Sequence, residues 1–131
     1  MADLTPEQLA ELKQRLLDRY NHLRRDIYNE LKKIGREEDF KDLAGEVHDP
    51  GEASVADEIF EADIEAINAQ ALELRRVEEA LTRIAQGTYG ECIDCGDDIG
   101  YPRLSAEPDA LRCITCQERY EKRQPVRPTT L

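Results

Sequence analysis

The fold is decided by residues 92–116, which read CIDCGDDIGYPRLSAEPDALRCITC. Two C-x2-C pairs, Cys92/Cys95 and Cys113/Cys116, are separated by seventeen residues, a spacing typical of a four-cysteine zinc site. Gly96 follows the first pair directly, where a tight metal-binding turn needs a left-handed backbone. Four thiolates fill the coordination sphere of tetrahedral Zn²⁺ and leave no open position. We therefore expect one structural zinc ion and no catalytic metal.

A redox role is the alternative for these cysteines. A thioredoxin-like protein needs one C-x-x-C beside a βαβ pattern, and the sequence contains no such pattern. Disulfides are also disfavoured in a reducing compartment. The sequence therefore favours zinc.

Two helical seams precede the cysteines. Thr5, Pro6 and Gln8 form a capping-box pattern that starts the first helix, and Ser54 with Asp57 starts the second, which Gly87 ends. Apolar residues in each helix recur in steps of three or four, the period of one helical face. The first seam comprises Leu9, Leu12, Leu16, Tyr20, Leu23, Ile27, Leu31 and Ile34, and the second Phe60, Ile64, Ile67, Ala71, Leu74, Val77, Leu81 and Ile84.

These seams predict a mainly all-α fold, with an antiparallel coiled-coil helical hairpin about 45 Å long, a small four-cysteine zinc-finger module and a C-terminal helix. The hairpin occupies residues 1–87, and its connector forms an acidic tip over about 36–54. The zinc-finger module and C-terminal helix span 88–124, and a flexible tail spans 125–131. A compact bundle of three helical segments is the competing layout.

Length and composition exclude several classes of protein. The chain has 131 residues, enough for one domain, and its 36% charged and seven aromatic residues suit long amphipathic helices better than a β-sandwich. The sequence contains neither an apolar run long enough to span a membrane nor a secretory signal. We expect a cytoplasmic protein without membrane association.

The charge is distributed unevenly. The net charge is −11, and residues 36–65 hold twelve carboxylates and two bases. Residues 112–131 instead hold five bases and two acids. This balance argues against a protein that binds nucleic acid by neutralising phosphates.

The stretch GTYGECIDCGDDIGYPRLSAEPDALRCITCQERYEK, directly after a helical hairpin, resembles the bacterial DksA/TraR family of zinc-finger transcription regulators. Gly90, the pair Ile99-Gly100 and the pair Arg103-Leu104 fall in the family's positions as well as the cysteines. The resemblance implies a protein that binds RNA polymerase directly without sequence-specific DNA contacts. It also implies that the coiled coil enters the polymerase secondary channel. The sequence shows no paired nucleophile and base, no glycine-rich phosphate loop and no open metal site, so we expect no enzymatic activity. We also expect a monomer.

The family's coiled-coil tip carries Asp-x-x-Asp-x-Ala, which corresponds here to Asp49, Glu52 and Ser54. The resemblance implies that these residues contact the polymerase. The first aspartate matches, whereas Glu52 is one methylene longer than aspartate and Ser54 is predicted to cap the second helix. A purely structural reading is that acids before a helix favour its dipole.

The resemblance also implies a site for the alarmone ppGpp. When the cysteines are aligned, the basic side chains that bind the alarmone in the family correspond here to Arg76, Glu107 and Gln117. Arg76 is therefore the one base that remains. A carboxylate and an amide bind phosphate less well than two cations, so we expect weak or no ppGpp synergy. The alternative to polymerase binding is a zinc-stabilised coiled-coil adaptor for a different protein partner.

Overall fold

The computed structural model describes residues 4–48 and 54–123. Its helices are α1 (Pro6–Lys33), a first 3-10 helix (Glu37–Ala44), α2 (Val55–Ala62), a second 3-10 helix (Glu65–Ile67), α3 (Asn68–Gln86), α4 (Tyr101–Ala106) and α5 (Ile114–Arg123). The β-structure of these residues is one isolated antiparallel bridge, Glu91 with Asp98. The predicted all-α class is confirmed. Within the described ranges, no helix is both long enough and apolar enough to cross a membrane.

Helix α1 is the longest helix among the described residues. The predicted capping box is present, because Thr5 Oγ1 accepts from the backbone of Gln8 at 3.0 Å and Gln8 Oε1 accepts from the backbone of Thr5 at 3.1 Å. At 1.5 Å per residue, the 28 residues of α1 extend about 42 Å. The predicted first seam is buried at Leu12, Leu16, Tyr20, Leu23, Ile27 and Leu31.

Helix α3 lies antiparallel to α1, as the two seams predict. An ion pair between Arg19 and Glu73 joins the helices near their middle. The buried residues of α3 are Ala71, Leu74, Val77, Ala80 and Leu81. The paired apolar faces form one core, which the hydrophobic effect stabilises.

The second seam is not one continuous helix, and this part of the prediction is wrong. Helix α2 ends at Ala62, and Asp63 adopts a left-handed conformation with φ 53° and ψ 52°. The chain turns there, so that α2 packs on α3 and Ser54 lies beside Glu78. Ala56 and Ile59 are fully buried in this arrangement. Burial of the apolar face of α2 on α3 outweighs the local preference for a single helix.

The first 3-10 helix also folds back, onto α1. Phe40 and Leu43 are buried, and the backbone carbonyl of Asp42 accepts from Arg24 Nη2 at 2.6 Å. Arg24 is only 4% exposed, and a buried guanidinium requires such acceptors. The amide of Asn21 bonds both backbone groups of Val47, at 2.7 and 2.8 Å.

The chain on both sides of the connector therefore lies beside the helix pair, not beyond its end. Val47 is held at Asn21 and Ser54 at Glu78, both near the middle of the pair. The predicted antiparallel pair is present, and the described chain on either side of the connector packs along it. Residues 49–53 lie outside the described residues.

The cysteine module packs against the opposite half of the pair. Tyr101 Oη donates to Glu11 Oε1 at 2.7 Å, and Tyr89 Oη donates to the carbonyl of Pro108 at 2.9 Å. Leu104 is fully buried. We call residues 20–48 with 54–78 the distal half, and the remainder of the described chain, with the cysteines, the proximal half.

Candidate metal centre and acidic segment

The four predicted cysteines form one cluster. The Sγ atoms of Cys92, Cys95, Cys113 and Cys116 all lie within 4.8 Å of one another, and Cys95 Sγ is 3.8 Å from Cys113 Sγ. A zinc ion with bonds of about 2.3 Å to four sulfurs places those sulfurs about 3.8 Å apart. The cluster therefore fits tetrahedral Zn²⁺.

Two backbone turns position the sulfurs. In the first, the N–H of Gly96 donates to the carbonyl of Cys92 at 3.0 Å, and Gly96 has φ 80°, the left-handed conformation predicted for it. The N–H of Cys92 donates to the carbonyl of Asp97 at 2.8 Å and closes the turn. The second pair lies at the start of α5, where the N–H of Cys116 points at Cys113 Sγ at 3.5 Å.

The protonation of the cluster also favours a divalent cation. Burial opposes ionisation of Cys92, but backbone N–H groups, first that of Cys95, lower the pKa of its thiol to about 6. Burial and the neighbouring thiols raise the pKa of Cys116 to about 12. Zinc binds cysteine as the thiolate, so metal binding releases the protons of its ligands. The site is a closed, structural zinc centre.

Two arginines outside the sulfurs hold the cysteine module together and attach it to α3. Arg112 Nε donates to Asp94 Oδ2 at 2.8 Å, and the Arg112 guanidinium lies 3.9 Å from the centre of the Tyr120 ring. Arg83 Nη2 donates to the carbonyls of Thr88 and Glu91, which fixes the module to α3. Tyr120 thus packs back on the zinc module.

Of the three residues predicted to contact the polymerase, Ser54 is described. Its hydroxyl caps α2 by accepting from the N–H of Asp57 at 3.1 Å, as predicted, and it also donates to Glu78 Oε1 at 2.7 Å. Asp49 and Glu52 lie outside the described residues. The sequence analysis did not identify Glu78. In the sequence it follows the apolar Val77, and nothing distinguishes it from the exposed acidic residues of α3.

The structure brings the three positions of the implied alarmone site together. Arg76, Glu107 and Gln117 line one groove of about 1260 Å³ between α3 and the zinc module. Arg76 Nε is bound there to Asp109 Oδ2 at 3.2 Å.

Three exposed apolar side chains line the same groove. Leu72 is 49% exposed, Ile93 40% and Ile114 56%. The sequence analysis did not single them out. Only their positions outside the two seams distinguish them, and that signal is weak.

Comparisons with known proteins agree with this geometry. The family profile described as "Prokaryotic dksA/traR C4-type zinc finger" matches residues 87–122. The "RNA polymerase-binding transcription factor DksA" of Caulobacter vibrioides (strain NA1000 / CB15N) is 30% identical over 124 residues, covering 94% of this chain and 82% of that protein.

Two further relatives extend the similarity. The factor of the same name from Escherichia coli (strain K12) is 29% identical over 84 residues, 64% of this chain and 56% of that protein. The solved structure of transcription factor DksA2 from Pseudomonas aeruginosa has a TM-score of 0.60 and 29% identity, covering 90% of this chain and 86% of that one. With its zinc-binding cysteines and near full-length similarity, the chain belongs to the DksA/TraR family.

Proposed function

We propose that this protein is a transcription regulator that binds RNA polymerase directly. The observation that carries the proposal is the near full-length similarity, 94% of this chain, to a relative named as an RNA polymerase-binding transcription factor. The zinc centre is coordinatively closed, so it stabilises the binding surface and performs no chemistry. The protein acts as a monomer in the cytoplasm, through protein contacts and without direct sequence-specific DNA binding. It is not an enzyme.

The acidic segment, residues 36–65, is proposed to enter the secondary channel of the polymerase. Twelve carboxylates against two bases give this segment a net charge of −10. Its described part lies in the distal half, away from the zinc centre. The long-range field of these carboxylates favours their approach to a cation-rich pore. Asp49, Glu52 and Ser54 are the residues proposed to contact the polymerase.

A binding competition tests this proposal. Zinc-loaded, fluorescently labelled protein is titrated with RNA polymerase, with and without a Gre-type factor that occupies the same channel. We expect saturable binding that the competitor displaces. Absence of polymerase binding would favour the alternative of an adaptor for another protein, and binding undiminished by the competitor would contradict channel entry.

Paired charge variants locate the contact. The double variant Asp49→Asn, Glu52→Gln removes two acids from the acidic segment, and the matched control Glu7→Gln, Asp98→Asn removes two exposed acids from the proximal half. We expect the first variant to weaken inhibition of a ribosomal RNA promoter by about tenfold, since hydrogen bonds to charged groups contribute about 1.5 to 3 kcal/mol. Equal effects of the two variants would contradict a role for the acidic segment.

Weak or absent ppGpp synergy is also part of the proposal. The groove that holds Arg76 offers Glu107 and Gln117 at the other two positions, and Arg76 itself is paired with Asp109. We expect transcription inhibition to change by less than about twofold when the alarmone is added. Glu107→Arg with Gln117→Lys should create synergy, because two cations then face the phosphates. Inhibition by the unaltered protein that deepens several-fold with ppGpp would overturn this expectation.

A further inference from the structure

Helix α2 is attached to α3 by a single side chain at its N-terminal end. Glu78 Oε1 accepts from Ser54 Oγ at 2.7 Å, and Glu78 Oε2 accepts from the N–H groups of Val55 and Ala56 at 3.1 and 3.4 Å. One carboxylate thus satisfies two of the N–H groups that a helix start leaves unpaired. A second attachment lies one turn along α2, where Arg75 Nη2 donates to Asp57 Oδ1 at 2.8 Å and stacks on Phe60.

The turn between α2 and α3 is not required by the local sequence. Neither glycine nor proline occurs between Val55 and Gln86. Asp63 is the one residue other than glycine with positive φ among the described residues. A left-handed conformation costs most residues about 1 to 2 kcal/mol. Neither the second 3-10 helix nor α3 begins with a side-chain cap.

The apolar pattern also continues through the turn. Ala56, Phe60, Ile64 and Ile67 are spaced four, four and three residues apart, which is the spacing of one helical face. A continuous helix over 55–86 would align them with Leu74. The folded-back arrangement instead buries Ala56 and Ile59 against α3 and leaves Phe60 beneath Arg75. Ala56, Ile59 and Phe60 lie three and four residues apart on one face of α2, and this one apolar face can either pack on α3 or continue the α3 seam.

The attachment by Glu78 is opposed by the loss of hydration of its carboxylate. Burial raises the pKa of this carboxyl above its usual value, although the hydroxyl of Ser54 and the two backbone donors oppose the shift. A partly buried carboxylate loses hydration free energy. Its hydrogen bonds to the N-terminal end of α2 recover only part of that free energy. Opening would return Glu78 and Ser54 to water.

We propose that α2 is a hinged arm, closed by Glu78 and pivoting at Asp63, which opens by stacking on α3 as one continuous helix. Residues 24 apart in a helix are separated by about 36 Å. Opening therefore moves Ser54 from beside Glu78 to about 36 Å along the α3 axis. It carries Asp57, Glu58 and Glu61 past the N-terminal end of α3 and aligns Phe60 and Ile64 with the α3 seam. This inference concerns the free protein and does not depend on polymerase binding.

A distance measurement tests the hinge. Fluorophores are attached through unnatural amino acids at the exposed positions Glu58 and Thr82, so that the four cysteines remain free to hold zinc. The closed arm places these positions about 15 Å apart, since Asp57 lies beside Arg75, and the open arm about 36 Å apart. Single-molecule energy transfer resolves the two states.

Substitutions at Asp63 separate hinging from general destabilisation. Asp63→Ala disfavours the left-handed turn and should raise the open-to-closed ratio about fivefold or more, whereas Asp63→Gly accepts the turn and should lower it. Glu78→Ala should raise the ratio, with Glu79→Ala as the exposed neighbour control. The double variant Asp63→Ala, Glu78→Ala should show a narrow population near 36 Å. A single short distance in that variant, or a broad distribution from a melted arm, would overturn the proposal.

Discussion

At the scale of single residues, the zinc ligands are determined by spacing and the remaining polar contacts by packing. Cys92, Cys95, Cys113 and Cys116 could be identified from the sequence because the metal requires four sulfurs from two tight turns. The burial of Arg24 could not be predicted, since nothing in the local sequence indicates that its guanidinium donates to the carbonyl of Asp42. Among the described residues, its Nε has no hydrogen-bond partner.

Removal of one zinc ligand tests the metal centre. Cys113→Ser should lower zinc affinity by more than about 100-fold, beyond the 10- to 100-fold typical of a residue outside the coordination sphere. It should also unfold the cysteine module, because metal binding and folding are coupled there. Titration with a competing chelator measures the affinity, and Thr115→Ala, in the same turn, is the control. Unchanged affinity in Cys113→Ser would contradict a four-sulfur site.

Glu78 gives the stability of the protein a predictable pH dependence. Burial raises the pKa of Glu78 in the folded state above its ordinary value of 4.5, so the folded chain holds this proton more tightly than the unfolded chain. The contribution of Glu78 therefore makes the fold less stable as pH rises from 4.5 through the raised pKa. Glu78→Gln does not titrate, so its stability relative to the unaltered protein should be higher at pH 7 than at pH 4.5.

Urea unfolding of both proteins across this pH range measures the difference, and Glu79→Gln is the exposed control. A difference that is constant with pH would show that the Glu78 pKa is the same in the folded and unfolded states.

At the scale of helices, the starts and ends could be predicted where a cap fixes them. Thr5 begins α1, Ser54 begins α2 and Gly87 ends α3 at their expected positions. The turn at Asp63 could not be predicted, because an amphipathic period is equally compatible with one long helix and with two that fold together. Which of the two forms depends on the packing of Ala56 and Ile59 on α3. This is a tertiary contact that the local sequence does not indicate.

The folded-back position of the first 3-10 helix is tested by deleting one buried side chain. Leu43 is 2% exposed, so Leu43→Ala should lower the free energy of unfolding by about 2 to 4 kcal/mol through lost burial and the cavity left behind. The exposed neighbour Lys41→Ala should change it by less than about 0.5 kcal/mol. Equal, small effects would mean that this segment projects into solvent.

At the scale of the whole molecule, the zinc centre belongs to the proximal half and the described part of the acidic segment belongs to the distal half. The zinc centre holds the module against the N-terminal half of α1 through Tyr101 and Glu11, and gives the proximal half a fixed shape. The distal half carries the described part of the acidic segment, together with the buried Arg24 and the proposed hinge at Asp63. A rigid base and a negatively charged, adjustable end suit a protein that inserts into a pore on a larger partner.

The direct test of this account is to map where the two ends contact RNA polymerase. A photo-crosslinking amino acid is placed at Glu58 in the distal half or at Glu118 on α5, both exposed, and the zinc-loaded protein is irradiated in complex with the polymerase. We expect the Glu58 position to crosslink to residues that line the secondary channel and the Glu118 position to crosslink outside it. Crosslinks of Glu58 to the outer surface, with Glu118 inside the channel, would contradict the account.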